Sequence, residues 1–201
     1  MNYKQHTNCR VFGKGNLIKY LDLGMLPLSN NLGESETDPI HDQKYPLQVM
    51  LCENCGLSQL SIVIPPEVLF SHYVYRSSIS SVYVDHCREM AVELKDKYKL
   101  NEDSFIIDIA GNDCALLSQF RDVIGCQVVN VDPAENLKPI CDTKGIYMLC
   151  EFWSQEVAKK FYRQADIITA TNVFAHVDDV VGFINAVKVA LKPNGKLILE
   201  F

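Results

Sequence analysis

The chemistry-bearing residues of this chain concentrate in a strand, a polar turn and a helix start at residues 105–117. The apolar run there leads into Asp108, and the turn that follows contains Gly111. A second apolar run, residues 128–131, ends on Asp132, about 20 residues past that turn. In Rossmann-like folds an acidic residue at the tip of the second strand binds a nucleotide's ribose. The pattern therefore predicts a nucleotide-type cofactor with its ribose on Asp132.

The composition of the turn favours one kind of cofactor. A dinucleotide needs the glycines of G-x-G-x-x-G so that its pyrophosphate can lie on the first helix amides, whereas residues 110–115 contain one glycine. The carboxylates of Asp108 and Asp113 would also repel a pyrophosphate. These two carboxylates would instead favour a cofactor that carries an amino group and a sulfonium cation. The turn therefore predicts S-adenosylmethionine. Asn112 or Asp113 is expected to cap the following helix.

Two aromatic residues, Phe152 and Trp153, follow the third predicted strand. They are candidates for a wall against the adenine ring, and ordinary core packing is the alternative explanation. Leu116 and Leu117, on the helix after the first turn, are expected in the core.

Three of the eight cysteines have the spacing of metal ligands. Cys52 and Cys55 stand three positions apart before a glycine, which is typical of one half of a tetrahedral zinc site. Cys9 begins a similar turn, but Phe12 occupies the place of its second cysteine, and His6 is the candidate replacement. Zinc is expected because a module with a small core needs the stabilisation that the metal supplies. The site would be structural, since no acid–base residue lies beside it in sequence. The alternative is a metal-free module with three free thiols.

The elements that would position these residues fall into three segments. Residues 1–65 are rich in Gly, Pro, Asn and Ser, which predicts a zinc-binding module of short strands and turns. Residues 66–103 predict a linker that becomes helical in its second part, after a polar-aromatic loop at residues 72–81. Residues 104–201 alternate between strand and helix patterns and predict a partial S-adenosylmethionine-binding domain.

The alternation predicts an α/β fold, a Rossmann-like parallel sheet with helices on both faces. Strands are expected at residues 104–109, 127–132, 146–149, 166–171 and 196–201. Helices are expected at residues 113–122, 134–143, 154–163 and 178–191. Ligands bind such sheets at the carboxyl ends of the strands. Residues 108–113, Asp132 and residues 171–176 would all lie there.

Composition and charge argue against several functions. The net charge of -6 argues against a nucleic-acid-binding protein, which usually carries an excess of positive charge. Residues 1–10 lack the apolar core of a signal peptide, and no apolar run approaches the roughly 18 residues of a membrane span. We therefore expect a cytoplasmic protein that binds neither nucleic acid nor membrane, with its other cysteines as reduced thiols.

Several segments resemble one family, the C-methyltransferases of deoxysugar biosynthesis, which methylate C-3 of a nucleotide-linked 4-keto sugar. The resemblance covers the whole chain. It is carried by residues 9–11, 21–30, 52–60, 73–78, 108–117, 171–177 and 191–201. It implies a methyltransferase in which a base removes the proton beside the keto group and the resulting enolate attacks the methyl of the sulfonium. Its substrate would be a nucleotide sugar.

The residue pattern and the resemblance together assign roles to individual residues. The cofactor would be bound by Tyr75, Ser80, Asp108, Ala110, Gly111, Asn112, Asp113, Asp132, Pro133, Phe152, Trp153 and Asn172. Zinc would be bound by Cys9, Cys52, Cys55 and His6. His176 matches a histidine that lines the family's active site, where it can act as a base or polarise the substrate near neutral pH. The alternative is that His176 caps a helix starting near Asp178.

The chain departs from the family pattern in three places. Phe12 replaces a zinc cysteine, and Cys114 stands where the first methyltransferase motif usually has glycine. The family also continues past residues 200–201 with a Tyr-His-Glu-His-type catalytic segment and a substrate-binding domain. The chain is therefore expected to be a fragment, or a shortened product that forms a homo-oligomer through its sheet edge. Alone, it is expected to bind S-adenosylmethionine weakly if at all and to turn over no sugar.

Two other functions are left open. One is an NAD(P)-dependent oxidoreductase, which the missing glycines oppose. The other is a catalytically inactive S-adenosylmethionine-binding or assembly module, which Cys114 and the missing catalytic segment favour. Metal content and cofactor binding would separate such a module from an enzyme.

Overall fold

The computed structural model describes residues 3–29 and 43–201. The chain divides into two units, Met1–Phe70 and Ser71–Phe201, which are described separately. Asn30, the last residue of the segment 21–30 quoted above, lies outside the described residues. No helix in the described ranges is long and apolar enough to cross a bilayer.

The first unit is built from short antiparallel strands. Its elements are β1 (Lys4–Gln5), β2 (Leu17–Leu26), β3 (Tyr45–Cys52), β4 (Ser58–Leu60), β5 (Ile62–Val63) and the short helix α1 (Pro66–Phe70). Strands β2, β3 and β4 form one sheet in that order, and β1 pairs with β5. Among residues 3–29 and 43–70, few apolar residues are fully buried, and two that are buried are Cys9 and Cys52. The predicted β-rich N-terminal module is confirmed.

The second unit contains a five-stranded parallel sheet. Its strands are β6 (Phe105–Ile109), β7 (Gln127–Val131), β8 (Tyr147–Leu149), β9 (Ala165–Thr171) and β10 (Leu191–Glu200). Their order across the sheet is β10-β9-β6-β7-β8, so β10 forms one edge. The predicted parallel sheet is confirmed. Because β6 lies at the centre, its carboxyl end meets the ends of β7 and β9, where ligands bind in such folds.

Helices cover both faces of this sheet. They are α2 (Ser81–Tyr98), α3 (Ala115–Ile124), α4 (Lys138–Thr143), α5 (Gln155–Lys159) and α6 (Val180–Ala190). Single 3₁₀ turns form at Ser77–Ile79, Glu135–Leu137 and Phe174–His176. One buried cluster packs the sheet against α2, α3 and α4, and a second packs it against α5 and α6. Successive strand residues alternate between the two clusters, as a pleated strand requires.

Several predicted boundaries were wrong. The helix expected from residue 113 begins at Ala115, because Cys114 has a left-handed backbone. The helix expected over residues 154–163 ends at Lys159. The helix expected from residue 178 begins at Val180, after the N-cap Asp179. Strand β10 begins at Leu191 and contains a bulge before Lys196, where a strand was expected to start.

Candidate functional site

A layer of buried polar side chains crosses the carboxyl ends of three adjacent strands. Asp108 on β6, Asn130 on β7 and Thr169 on β9 are each at most 1% exposed. They are direct neighbours in the register of the sheet. Thr169 Oγ1 donates a hydrogen bond to Asp108 Oδ1 at 2.6 Å. Buried polar groups in otherwise apolar strands need such partners, so the layer fixes the orientation of the Asp108 carboxyl.

The turn after β6 lies directly on this layer. The Gly111 amide donates to Asn130 Oδ1 at 3.1 Å, and Asn130 Nδ2 donates to the Asn112 carbonyl at 2.9 Å. A Cβ atom on Gly111 would lie 2.6 Å from Asp108 Oδ2 and 2.8 Å from Asn130 Oδ1. Only glycine fits so close to two fixed oxygens, which is the close backbone approach expected of this position.

The conformation of the turn corrects one expectation. Ala110, Asn112 and Cys114 have φ angles of 52°, 53° and 63°, in the left-handed region. Cys114 is the N-cap of α3 and makes no side-chain capping hydrogen bond. The prediction that Asn112 or Asp113 caps this helix was therefore wrong. With this backbone conformation, the side chains of Asn112 and Asp113 reach a segment 35 residues earlier in the sequence.

That segment is the predicted cofactor-covering loop. Asn112 accepts from the Ser77 amide and donates to the Tyr75 carbonyl, each at 3.0 Å. Asp113, fully buried, accepts from the amide and hydroxyl of Ser78. Lys144 forms an ion pair with Asp113 at 3.7 Å.

Ser80, predicted to bind the cofactor, is the N-cap of α2. Its hydroxyl accepts from the Tyr83 amide at 3.2 Å. Tyr75 is half exposed on the loop. The structure therefore brings the loop and the turn together, and Ser80 connects the loop to the helix that follows.

Asp132 lies at the end of β7 and is 5% exposed. Its two carboxyl oxygens accept from the amides of Asn112 at 2.9 Å and Ala134 at 2.8 Å. Each oxygen keeps a second acceptor position for a ribose hydroxyl. Burial raises the pKa of Asp132, and the two amides oppose this. Pro133, which follows, is half-buried.

The electrostatics of the site fit a cationic group. Burial raises the pKa of Asp108 to about 7; the Thr169 hydrogen bond opposes this shift and the Asp132 charge adds to it. Within residues 3–29 and 43–201, no lysine or arginine forms an ion pair with Asp108 or Asp132, whereas Lys144 pairs with Asp113. An ammonium or sulfonium group beside these carboxyls would supply the missing positive charge.

Phe152 and Trp153 follow β8, and both are half-buried. Trp153 packs against the cluster beneath α5 and α6, in agreement with the core-packing alternative. Its indole Nε1 is buried, however, and has no acceptor among the described residues. Buried indole N–H groups normally have one, so an adenine ring nitrogen is a fitting acceptor here.

The ends of β9 and β10 carry the remaining predicted residues. The Asn172 amide donates to the Glu200 carbonyl at 2.7 Å, and Asn172 has a left-handed φ of 57°. His176 is exposed in the 3₁₀ turn Phe174–His176. Asp179, whose side chain accepts from the Gly182 amide, caps the next helix. The alternative in which His176 is the cap was therefore wrong.

Two side-chain pairs that join α2 to the ends of β9 and β10 were not predicted from the sequence. Tyr83 Oη lies 3.1 Å from Thr171 Oγ1, and His86 Nε2 lies 2.5 Å from Glu200 Oε2. Burial raises the pKa of Tyr83. The signal available in the sequence was the i, i+3 spacing of Tyr83 and His86, which places both on one face of α2.

The first unit holds a candidate metal centre. The sulfur atoms of Cys9, Cys52 and Cys55 all lie within 4.8 Å of one another, and those of Cys9 and Cys55 are 3.6 Å apart. Thiolates on one zinc ion are about 3.8 Å apart, given Zn–S bonds of about 2.3 Å in a tetrahedron. The three residues therefore fit a single ion. In the described residues this group does not include His6, whose amide donates to the Ser61 carbonyl at 2.8 Å.

Two matching turns hold these cysteines. The Gly13 amide donates to the Cys9 carbonyl at 2.8 Å, and the Gly56 amide donates to the Cys52 carbonyl at 2.9 Å. Both glycines have φ of +74°. Phe12 thus stands at the position that Cys55 occupies in the other turn, and the residue is 44% exposed. The chain has both knuckle-shaped turns but three of the four expected thiols.

Comparisons with known proteins agree with this geometry. Residues 9–70 match the family described as "Putative zinc binding domain". The chain is 30% identical to C-methyltransferase NovU of Streptomyces niveus over 195 residues, which is 96% of this chain and 46% of NovU. It therefore spans about half the length of this curated relative.

Solved structures show the same fold. One is titled a "putative s-adenosyl-l-methionine-dependent methyltransferase" of Methanococcus maripaludis, with TM-score 0.52 and 15% identity over 59% of this chain and 57% of that chain. Another is the PH0226 protein of Pyrococcus horikoshii OT3, with TM-score 0.51 and 18% identity over 62% of this chain and 60% of that one. Residues 85–201, more than half of the chain, match the family described as "Methyltransferase domain", and the chain belongs to this family.

Proposed function

We propose that this chain is the cofactor-binding part of an S-adenosylmethionine-dependent C-methyltransferase that acts on a nucleotide-linked keto-deoxysugar. The observation that carries the proposal is the acidic turn. The buried carboxyls of Asp108 and Asp132 lack a cationic partner among the described residues, and both have raised pKa values. The 30% identity with C-methyltransferase NovU supports transfer to carbon.

The bound cofactor would supply an electrophilic methyl group. Asp132 accepts hydrogen bonds from the ribose hydroxyls with the acceptor positions that the two amides leave open. Asp108 faces the positive charge, and Phe152 and Trp153 line the adenine. The loop that carries Tyr75 is bonded to Asn112 and Asp113, so it can cover the cofactor and exclude water.

The substrate side of the site is assigned to the ends of β9 and β10. His176 and Asn172 lie on the segment that follows β9, and both are exposed. A histidine there can polarise the keto group or move a proton as the enolate forms. Because the chain spans 46% of NovU, the principal base and the sugar contacts are assigned to the complete protein rather than to this chain.

The choice of cofactor is tested by titrating the chain with S-adenosylmethionine and, separately, with NADPH. Each titration is monitored by NMR, which detects weak binding. We expect the NMR signals of the backbone amides of residues 110–114 to shift with S-adenosylmethionine and not with NADPH. Asp132→Asn should weaken this binding at least tenfold, whereas Asp96→Asn, an exposed carboxyl on α2, should not. Shifts with NADPH and none with S-adenosylmethionine would favour an oxidoreductase.

The substrate class is tested with a nucleoside diphosphate 4-keto-6-deoxyhexose and the complete protein in deuterium oxide. Enolate formation exchanges the proton at C-3 for deuterium, even without a methyl donor. We expect that exchange, and methylation at C-3 when S-adenosylmethionine is added. Methylation on oxygen or nitrogen without exchange would overturn the proposal.

One observation favours a second candidate, an inactive cofactor-binding or assembly module. Cys114 is fully buried in a left-handed conformation at a position where the turn would accept glycine. If its side chain distorts the cofactor site, Cys114→Gly should tighten S-adenosylmethionine binding. Equal affinity of the two proteins would remove the support for this candidate.

A further inference from the structure

Cys114 and Cys141 form a buried pair that the methyltransferase site does not use. Cys114 ends the turn after β6, and Cys141 lies in α4. Their sulfur atoms are 2.7 Å apart, both residues are 0% exposed, and both are free thiols. A disulfide bond is about 2.05 Å long, so the two sulfurs need approach by only about 0.7 Å to form one.

The surroundings distinguish the two thiols. The Cys114 thiol donates to Cys141 Sγ, which lowers the pKa of Cys141. Burial opposes this effect, while an amide hydrogen of Asn130 and the charge of Lys144 add to it. The hydrogen bond to Cys141, together with burial, raises the pKa of Cys114. Cys141 is thus the better nucleophile, since the thiolate is the reactive form of cysteine.

We propose that Cys114 and Cys141 form an oxidation site, at which a peroxide converts the two thiols into an intramolecular disulfide. The Cys141 thiolate attacks one peroxide oxygen, the O–O bond breaks, and a sulfenic acid and hydroxide result. Cys114 then attacks the Cys141 sulfur, the S–S bond forms, and hydroxide leaves and takes up the Cys114 proton. Two thiols and one hydrogen peroxide give one disulfide and two water molecules.

The disulfide would join the turn to α4. Two contacts already connect these elements, since Lys144 donates to the Asp113 carbonyl and Cys141 Sγ lies 3.5 Å from the Asn112 carbonyl oxygen. The cross-link closes a loop between residues 114 and 141 and restricts the unfolded chain. The oxidised protein therefore has a higher unfolding temperature and holds residues 110–114 in their observed conformation. This inference does not depend on the proposed activity.

Peptide mapping tests the proposal on the full chain. The reduced protein is treated with millimolar hydrogen peroxide, alkylated under denaturing conditions and digested with trypsin and Glu-C. Cleavage after Glu135 separates Cys141 from Cys126, which trypsin alone leaves on one peptide because Lys138 precedes Pro139. We expect one cross-linked species that contains Cys114 and Cys141, two hydrogens lighter than its parts and released by dithiothreitol.

Variants show whether the pair acts as a unit. Cys126→Ser, at another buried cysteine, should form the cross-link and gain the same rise in unfolding temperature as the wild type. Cys114→Ala should form none and gain none. Recovery of both wild-type thiols in alkylated form, or of Cys141 as a sulfinic acid, would overturn the proposal. The wild-type mapping decides the matter even if a variant fails to fold.

Discussion

The side-chain oxygen of Asn112 accepts a hydrogen bond from the Ser77 amide at 3.0 Å, across 35 residues of sequence. The backbone amide of the same Asn112 donates to Asp132 at 2.9 Å. One residue thus connects the covering loop, the turn after β6 and the end of β7. Its left-handed backbone makes this possible, and asparagine adopts that conformation more readily than most residues.

Replacing Asn112 should release the loop. Asn112→Gly removes the hydrogen bonds to Ser77 and Tyr75 but tolerates the left-handed backbone. Two lost hydrogen bonds are worth about 2 kcal/mol, so hydrogen exchange of residues 73–80 should accelerate about 30-fold. Asn185→Ala, an exposed site on α6, is the control. Unchanged exchange in Asn112→Gly would show that other contacts hold the loop.

Gly111→Ala should destabilise the second unit. Its Cβ would lie 2.6 Å from Asp108 Oδ2 and 2.8 Å from Asn130 Oδ1, and both side chains are buried and hydrogen-bonded. Overpacking of this kind costs about 1–3 kcal/mol of unfolding free energy, measured by urea denaturation. In the control Gly182→Ala the Cβ meets the exposed Asp179 side chain, which can move, so the loss is limited to a helix cap at about 1 kcal/mol. Equal losses would contradict the crowding argument.

The folding stability of the unliganded protein should depend on Asp108. Its folded pKa of about 7 lies above 3.8, the ordinary pKa of an aspartate side chain. Between these values the folded protein retains a proton that the unfolded chain has lost, so the unfolding free energy falls as the pH rises from about 4 to about 7. Full development of this effect amounts to about 4 kcal/mol.

Asp108→Asn removes this titration. Between pH 4 and 8, the unfolding free energy measured with urea should fall for the wild type and should not show this fall for the variant. Parallel pH profiles of the two proteins would contradict the assignment of this effect to Asp108. Ionised Asp108 also favours a cation. Affinity for S-adenosylmethionine should therefore rise as the pH passes 7, more than affinity for S-adenosylhomocysteine, which has no sulfonium charge.

The strands and the polar ends of the sheet could be predicted because they depend on local patterns. Apolar runs that end on Asp108 and Asp132 identify β6, β7 and their carboxyl ends. Asn130 and Thr169 are polar residues inside strands, and nothing in the sequence indicates that they lie beside Asp108 in the register of the sheet. A side chain's partner on another strand is set by tertiary packing, which periodicity does not encode.

The start of α3 could not be predicted from capping preferences. Asn112 and Asp113 are good caps in general, but here their side chains bond to the loop at residues 75–78. That competition depends on a contact distant in sequence. The pairing of His86 with Glu200 is of the same kind, since 114 residues separate them.

The final prediction concerns the metal centre. Purified chain should contain about one zinc per molecule, because three thiols at these distances fit one tetrahedral ion. Cys9→Ser, Cys52→Ser and Cys55→Ser should each lose most of the metal and the ordered strands of the first unit, since metal binding stabilises a module with so small a core. Cys87→Ser, a buried thiol in the second unit, should keep the metal. Zinc content is measured by mass spectrometry and strand order by hydrogen exchange.

The fourth ligand is tested in the same experiment. His6→Ala should weaken zinc binding about as much as a cysteine variant if His6 completes the site, and leave it unchanged if another group does. Phe12→Cys places a fourth thiol at the position that matches Cys55 in the other turn, at a residue that is 44% exposed. We expect Phe12→Cys to raise zinc affinity, measured by competition with a chromogenic chelator. Lower affinity would show that the two turns do not face a common ion.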